Sequence, residues 1–251
     1  MKTTQHKIKF IVVSDFHCRD KLSNDKKEII NRIINEIKEP DSQITSVIMP
    51  GDLTNNGYDG MSMFGYKYGG EQNQLGVLHH NIIEPLEEYT NVYLCAGNHD
   101  TYTKRPYFRK PVLRYIKHRH GDIRYEFKYH YKGNPVLRFI CLGIYPDKKS
   151  REFLKCILHK HPKDSYIIIF HYVPLGPFGD WWGDVEKKEF LNMISGYNIV
   201  AILAGHVHTS GIVNWKNIIK SEKYPVILAA GDKYALCEYN NETNELKVEF
   251  K

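Results

Sequence analysis

Apolar positions along this chain follow two different periods, and the periods alternate. Short runs rich in β-branched residues stand at 8–13, 44–49, 92–95, 167–170 and 199–203. With little polar alternation inside them, such runs read as strands covered on both faces, the mark of parallel sheet. Between them, apolar residues recur at helical spacing. Ile29, Ile30, Ile33, Ile34 and Ile37 form one stripe, with Ser23 and Asn24 placed to cap it and Pro40 to stop it. Leu75, Leu78, Ile82 and Leu86 predict a helix over 72–89, which Pro85 should kink or shorten. Further helices are expected at 149–160 and 184–195.

Elsewhere the period is two. From 123 to 131, Tyr125, Phe127, Tyr129 and Tyr131 alternate with Arg124, Glu126, Lys128 and His130. The run 136–144 is a partner strand beyond the Gly133-Asn134-Pro135 turn. Strand-like runs follow at 224–230, 234–239 and 245–250. Buried parallel strands joined by later antiparallel ones predict an α/β (α+β) fold of two stacked mixed sheets flanked by helices. At 251 residues the chain is long enough to bury a full core and reads as one domain spanning 1–251.

Five short polar blocks interrupt this pattern: Asp15-Phe-His17, Gly51-Asp52, Gly97-Asn98-His99-Asp100, His171, and Gly205-His206-Val-His208. Each alone is an ordinary loop group. Together they differ, because each follows one of the five buried runs. Ligands at the carboxyl ends of parallel strands converge on one edge of the sheet, where open α/β folds bind substrates. The carboxylates of Asp15 and Asp52, the amide of Asn98 and the imidazoles of His17, His171, His206 and His208 are the donors that a site for two divalent metals needs.

Net charge is +6, and its distribution matters more than its size. Residues 101–132 hold ten Lys or Arg and two acids, so the remainder of the chain is slightly acidic. This segment reads as a basic, cap-like insertion, and a rim of that sign beside the fourth member of the third block would draw in an anionic substrate. Arg124, Lys128 and Lys132 read as the wet face of a strand. Lys104, Arg105, Arg109 and Lys110 fit a substrate rim and a solvated surface equally well. Five cysteines without a C-x-x-C pair indicate a reducing, cytoplasmic setting, with Cys18 a bystander to metal. The apolar stretch at 10–13 is too short for a signal or membrane segment, and the Asn241 sequon carries no weight without one.

The five blocks in this order resemble the calcineurin-like metallophosphoesterases, from Asp15 to His208. The resemblance implies a four-layer αββα sandwich. It also implies one metal on Asp15, His17 and His208, the other on Asn98, His171 and His206, and Asp52 bridging both. His99 matches the family's non-ligand histidine and Asp100 the acid after it. Asn55 stands where purple acid phosphatases carry a tyrosine, so no iron–tyrosinate chromophore is expected. The Gly51-Asp-Leu-Thr54 and Gly97–Asp100 blocks look most like the branch containing cyclic-nucleotide phosphodiesterases. Asp180-Trp-Trp182 is similar to uncharacterised members of the superfamily.

The chemistry follows. Two cations roughly 3.5–4 Å apart neutralise phosphate oxygens and hold a bridging hydroxide in line with the scissile bond. Mixed oxygen and imidazole ligation suits Mn, Fe, Zn, Co or Mg better than calcium. His99 is the candidate general acid on the leaving oxygen, with Asp100 orienting its ring and favouring the imidazolium. Trp181 and Trp182 are candidates for an aromatic lip, and core packing competes with that role. Asn55 and Asn56 could hydrogen-bond substrate or serve only as turn formers. His79 and His80 read as helix-surface residues, His118 and His120 as solvated. The expected function is hydrolysis of a small anionic phosphoester, with no membrane partner. A nuclease would use the basic segment on a phosphate backbone with steep salt dependence, but no nucleic-acid motif supports it. A non-catalytic scaffold would be expected to have lost some of these ligands.

Overall fold

Strand residues sort by parity into two cores, and this sorting builds the layers. The computed structural model describes residues 7–57, 73–101, 110–130, 137–173, 182–214, 224–230 and 233–251. One sheet has the order β11-β10-β1-β2-β3, with β1 at Lys7–Val12, β2 at Ile44–Met49, β3 at Asn91–Leu94, β10 at Ala235–Asn240 and β11 at Glu245–Phe250. The other has the order β4-β5-β6-β7-β9-β8, with β4 at Tyr125–Tyr129, β5 at Leu137–Cys141, β6 at Ser165–Ile169, β7 at Asn198–Ala204, β8 at Gly211–Asn214 and β9 at Pro225–Leu228. In the first sheet β1, β2 and β3 run parallel and β10 and β11 antiparallel. In the second, β5, β6, β7 and β9 are parallel, with antiparallel β4 and β8 at the edges. Both sheets are mixed, as the pattern predicts.

Phe139, Cys141, Ile167, Ile169, Ala201 and Leu203 point into the inter-sheet core with Phe10, Cys237 and Tyr239. The intervening Ile140, Ile168, Phe170, Ile202 and Ala204 point outward, onto α5 (Lys148–Lys160) and α6 (Asp184–Ile194) through Leu154, Leu158, Phe190 and Ile194. Strands apolar on both faces are therefore strands with two neighbouring layers. Edge-to-face packing of Phe10 on Phe139, ring centroids 5.1 Å apart, ties the sheets together. Helix α1 (Asn24–Lys38) begins where expected, with Ser23 Oγ accepting from Lys26 N–H, and buries Ile29, Ile30, Ile33 and Ile37.

Two expectations change in detail. The expected helix over 72–89 is α2 (Gln74–Leu78), a π turn (His79–Ile83) and α3 (Glu84–Glu87). Glu84 N–H donates to the His79 carbonyl, a wider turn than α, and Pro85 follows. A proline ring collides with the carbonyl four residues earlier in a regular helix, and the widened turn is where that crowding is relieved.

Within the basic segment, residues 101 and 110–130 are described. Pro111–His120 forms a helix, α4, that buries Val112, Leu113 and Ile116. Strand β4 closes one edge of the second sheet, with Phe127 stacked on Phe139. Pro111 at the helix start, Gly121 at its end and the 112/113/116 spacing were a readable helix signal, masked by the density of charge. Arg119 pairs with Glu87, and Arg124 with Asp147 and Ser150. His120 is not solvated: it stacks on Tyr125 at 4.2 Å, and burial lowers its imidazole to about 4. None of the described helices is long and apolar enough to cross a membrane.

Candidate metal centre

Loops after five parallel strands meet at one end of the sandwich. Residues after β1 and β2 zip together through main-chain bonds: Asp15 N to Gly51 O, His17 N to Asp52 O, Cys18 N to Leu53 O, and Asn55 N to Cys18 O. Ser14 N donates to Ala229 O at 2.7 Å, joining the two sheets at this end. Gly205 N donates to His171 O, fixing the loops after β6 and β7.

The backbone is strained where the polar blocks sit. Seven non-glycine residues among those described have positive φ, and five of them are Asp15, His17, Asp52, His206 and His208. Left-handed backbone at such residues costs about 1–3 kcal/mol each and concentrates at functional sites. Gly97 is required for a different reason. A Cβ there would overlap the Asp52 main-chain nitrogen and carboxylate. Gly97→Ala should therefore lose metal binding and melt at lower temperature, by several degrees for about 1–3 kcal/mol; a melting curve and metal content unchanged from the parent would show that the loops can part without cost.

Two groups of ligand atoms result. Asp15, His17, Asp52 and His208 form one, and Asp52, His171 and His206 the other. Nε2 of His17 lies 3.0 Å from Nε2 of His208, and 3.6 Å from Asp52 Oδ2. Nε2 of His208 lies 3.6 Å from Asp15 Oδ1. In the second group, Asn98 Oδ1 is 3.1 Å from His171 Nε2 and 3.0 Å from His206 Nδ1. The ring of His171 is oriented from behind by the Pro50 carbonyl, 2.7 Å from Nδ1, which directs Nε2 inward. His206 stacks on Tyr172 at 4.0 Å, a support with no signal in the sequence.

Asp52 is common to both groups. Its Oδ1 accepts the His99 N–H at 2.9 Å. Its Oδ2 is buried, makes no directed hydrogen bond, and lies 3.2 Å from His171 Nε2. A buried carboxylate oxygen without a donor is costly. His17 and His171 bring Nε2 to within 3.6 and 3.2 Å of it from two sides, so the residues fit divalent metals once His171 gives up its proton.

The ligands differ in how firmly they hold protons. Burial alone would lower His171, but the Asp52 carboxylate and then Asp15 outweigh it and raise the imidazole to about 9. Burial would raise Asp52; the His171 charge and the His99 N–H bring it down to about 2. Burial lowers His17 to about 3 and His206 to about 4, so both hold their lone pairs at neutral pH. His171 is thus the ligand that must lose a proton to bind. Below about 9 metal competes with that proton. Metal uptake at pH 7 should release close to one proton from this residue, and affinity should weaken as pH falls. Calorimetry in buffers of different ionisation enthalpy measures the number, and zero would mean His171 is already neutral.

His99 and Asp100 divide their tasks differently from the expected pairing. Asp100 is fully buried, and its carboxylate accepts from Leu53 N, Thr54 N, Thr54 Oγ1 and Gly97 N. Burial and then the Asp52 charge push it up to about 6 against those bonds. It clamps two loops and is a positioning residue. The His99 ring is instead oriented by the Asn55 carbonyl, 2.6 Å from Nδ1. Asn55 thus contributes to the site through its main chain. The Asn56 N–H donates to Gln74 Oε1 at 3.0 Å.

The aromatic lip is corrected in part. Trp182 is 1% exposed and packs on Phe170 and Phe190, so no ring can stack on it. Trp181, Lys104, Arg105 and Arg109 lie outside the described residues. His79 contacts the Tyr115 hydroxyl and His80 the Glu84 carboxylate, so neither serves this site. Cys18 is buried and its thiol is pushed up to about 12, neutral beside the ligands.

The sequence profile of calcineurin-like phosphoesterases matches residues 8–210. No curated protein matches the chain. Among solved structures, a dimetal phosphatase from Danio rerio is similar at a TM-score of 0.62 and 12% identity, over 96% of this chain and 98% of that one. GAP50, the anchor in the inner membrane complex of Plasmodium, is similar at 0.64 and 12%, over 97% and 84%. At such identity these likenesses speak to fold alone.

Proposed function

This chain belongs to the calcineurin-like phosphoesterase family, and from that premise we propose that it is a dinuclear metal-dependent hydrolase of small anionic phosphoesters. Asp15, His17 and His208 would hold one cation and Asn98, His171 and His206 the other, with Asp52 within reach of both. The observation that carries this reading is Asp52 Oδ2, buried without a hydrogen-bond donor and common to both ligand groups.

Cations bound there supply Lewis acidity toward the phosphate oxygens and lower the pKa of water from 15.7 to about 7. The protein's own residues do the rest. Asp52 offers a fixed negative charge whose Oδ1 is locked by the His99 main chain. Pro50 and Asn98 hold the His171 ring in one orientation, so little reorganisation is needed as substrate binds. His99, with Nδ1 held by the Asn55 carbonyl, presents its opposite ring nitrogen as the proton donor to the leaving oxygen. A reducing, cytoplasmic setting fits the five unpaired cysteines, four of which are buried.

Apo protein reconstituted separately with Mn²⁺, Zn²⁺, Fe²⁺, Co²⁺ and Mg²⁺ should hydrolyse bis-p-nitrophenyl phosphate or p-nitrophenyl phosphate with at least one ion. The ratio of the two rates assigns diester or monoester preference. Absence of metal-dependent turnover of either, and of a nucleotide panel, would leave a binding protein on an enzyme fold.

A further inference from the structure

The π turn at His79–Ile83 brings together side chains that a regular helix would separate. At roughly 100° per residue, position 84 of an α-helix lies about 140° around the axis from position 79. Here the Glu84 N–H donates to the His79 carbonyl, and this i→i+5 bond returns residue 84 to the face of residue 79. His80, four residues before Glu84, shares that face in either geometry. Two imidazoles and a carboxylate therefore converge on one helix surface, apart from the ligand groups built around Asp52. Each of the three offers one donor atom, and these atoms lie within 4.8 Å of one another.

The spacing suits a cation. Nδ1 of His80 is 3.0 Å from Glu84 Oε2. Two ligands of one Zn²⁺, each at about 2.0–2.2 Å, stand roughly 3.0–3.5 Å from each other. The His79 and His80 rings are tilted together with centroids 4.8 Å apart, close enough for a nitrogen of each to bind the same ion. The hydrogen bond from His80, with His79 acting behind it, holds the Glu84 carboxyl below its ordinary value, so it is ionised at neutral pH.

The surroundings support the same role. Nδ1 of His79 lies 2.9 Å from the Tyr115 hydroxyl on α4. A metal-ligating histidine keeps its other ring nitrogen in such a bond, which fixes the tautomer and the ring. Arg119, the cation that reaches Tyr115, is paired with Glu87, so those two charges offset each other and the ligand set stays net negative. The side chains of His80 and Glu84 are 67% and 58% accessible, which leaves room for the ion's remaining water ligands.

We propose that His79, His80 and Glu84 form a third divalent-metal site, taking Zn²⁺ or a neighbouring imidazole-preferring ion such as Co²⁺ or Ni²⁺. Two imidazoles beside a single carboxylate discriminate against Mg²⁺ and Ca²⁺. The site is separate from the dinuclear centre and does not depend on the phosphoesterase reading.

A zinc titration of the metal-free protein, followed by side-chain NMR of the histidines and by the zinc retained, tests it. The His79 and His80 imidazole resonances should shift together and saturate with one equivalent. His80→Gln combined with Glu84→Gln should abolish the His79 shift and lower the zinc count by one, with an unchanged melting curve because both positions are exposed. His159→Gln, on the exposed face of α5, should lower it by none. Asp52→Asn should empty the dinuclear centre and leave the His79 and His80 shifts intact, so the two sites succeed or fail separately. Resonances of His79 and His80 that stay in place, or a zinc count equal to the parent's in the double variant, would overturn the third site. Equal shifts with Mg²⁺ would overturn it as well, since the carboxylate alone would then be binding.

Discussion

Replacing Asp52 by asparagine is expected to remove both metals together and to lower phosphoester hydrolysis at least about 10³-fold, more than loss of one preorganised electrostatic contact costs. The change is close to isosteric, so shape does not account for the effect. Oδ1 can still accept the His99 N–H. The other position is what matters. Oδ2 faces Nε2 of His171 at 3.2 Å and Nε2 of His17 at 3.6 Å. An amide NH₂ turned there would offer protons to nitrogens whose lone pairs a cation needs, and would delete the negative charge that both ligand groups share. The imidazolium of His171 would also lose its partner, so its raised pKa should fall back toward that of an ordinary histidine. Elemental analysis after gel filtration reads metal content, and NMR titration reads His171. Retention of one metal would mean that Asp52 serves a single ion.

The contrast with the neighbouring ligands makes this prediction specific. His208 is the most exposed of the set, its side chain 58% accessible, whereas Asp52 is 1% accessible. Removal of His208 perturbs one group at the rim. Removal of Asp52 perturbs the atom around which both groups are built.

Much of this was legible in the sequence because buried parallel strands leave a simple signature. Apolar runs without polar alternation located β1, β2, β3, β6 and β7, and the polar residues just beyond their ends are the ones the fold gathers into two groups of candidate ligands. That inference is topological and needs no sequence identity to a relative. What could not be read has a physical cause in each case. The left-handed backbone of Asp15 and His17 depends on loop–loop hydrogen bonds formed only when strands distant in sequence meet. The partner of the His99 ring is a main-chain carbonyl, which carries no residue-type signal. Asp100 looked like a partner for its neighbour because adjacency in sequence was the only relation visible; in three dimensions it faces Thr54 and Gly97. Trp182 looked like a lip because a turn-rich segment precedes it, yet the face of α6 with Phe190 was there to bury it.

His99 is where local structure allows the sharpest separation of roles. Changing it to alanine should preserve metal content, because the bond that holds Asp52 Oδ1 comes from the His99 main-chain N–H, which alanine retains. The ring alone is lost, and with it the group poised on the Asn55 carbonyl. If the ring protonates the leaving oxygen, the cost depends on how much that oxygen needs a proton. A leaving group of low pKa, such as p-nitrophenolate, departs unaided and should lose little rate. An alkoxide should lose roughly 10²–10⁴-fold. Rates for a series of esters of graded leaving-group pKa should therefore show a steeper dependence in His99→Ala than in the parent. A uniform drop across the series would assign the ring to binding or positioning instead. An unchanged rate with the poorest leaving group would remove it from the reaction, leaving the cations alone to stabilise the departing oxygen.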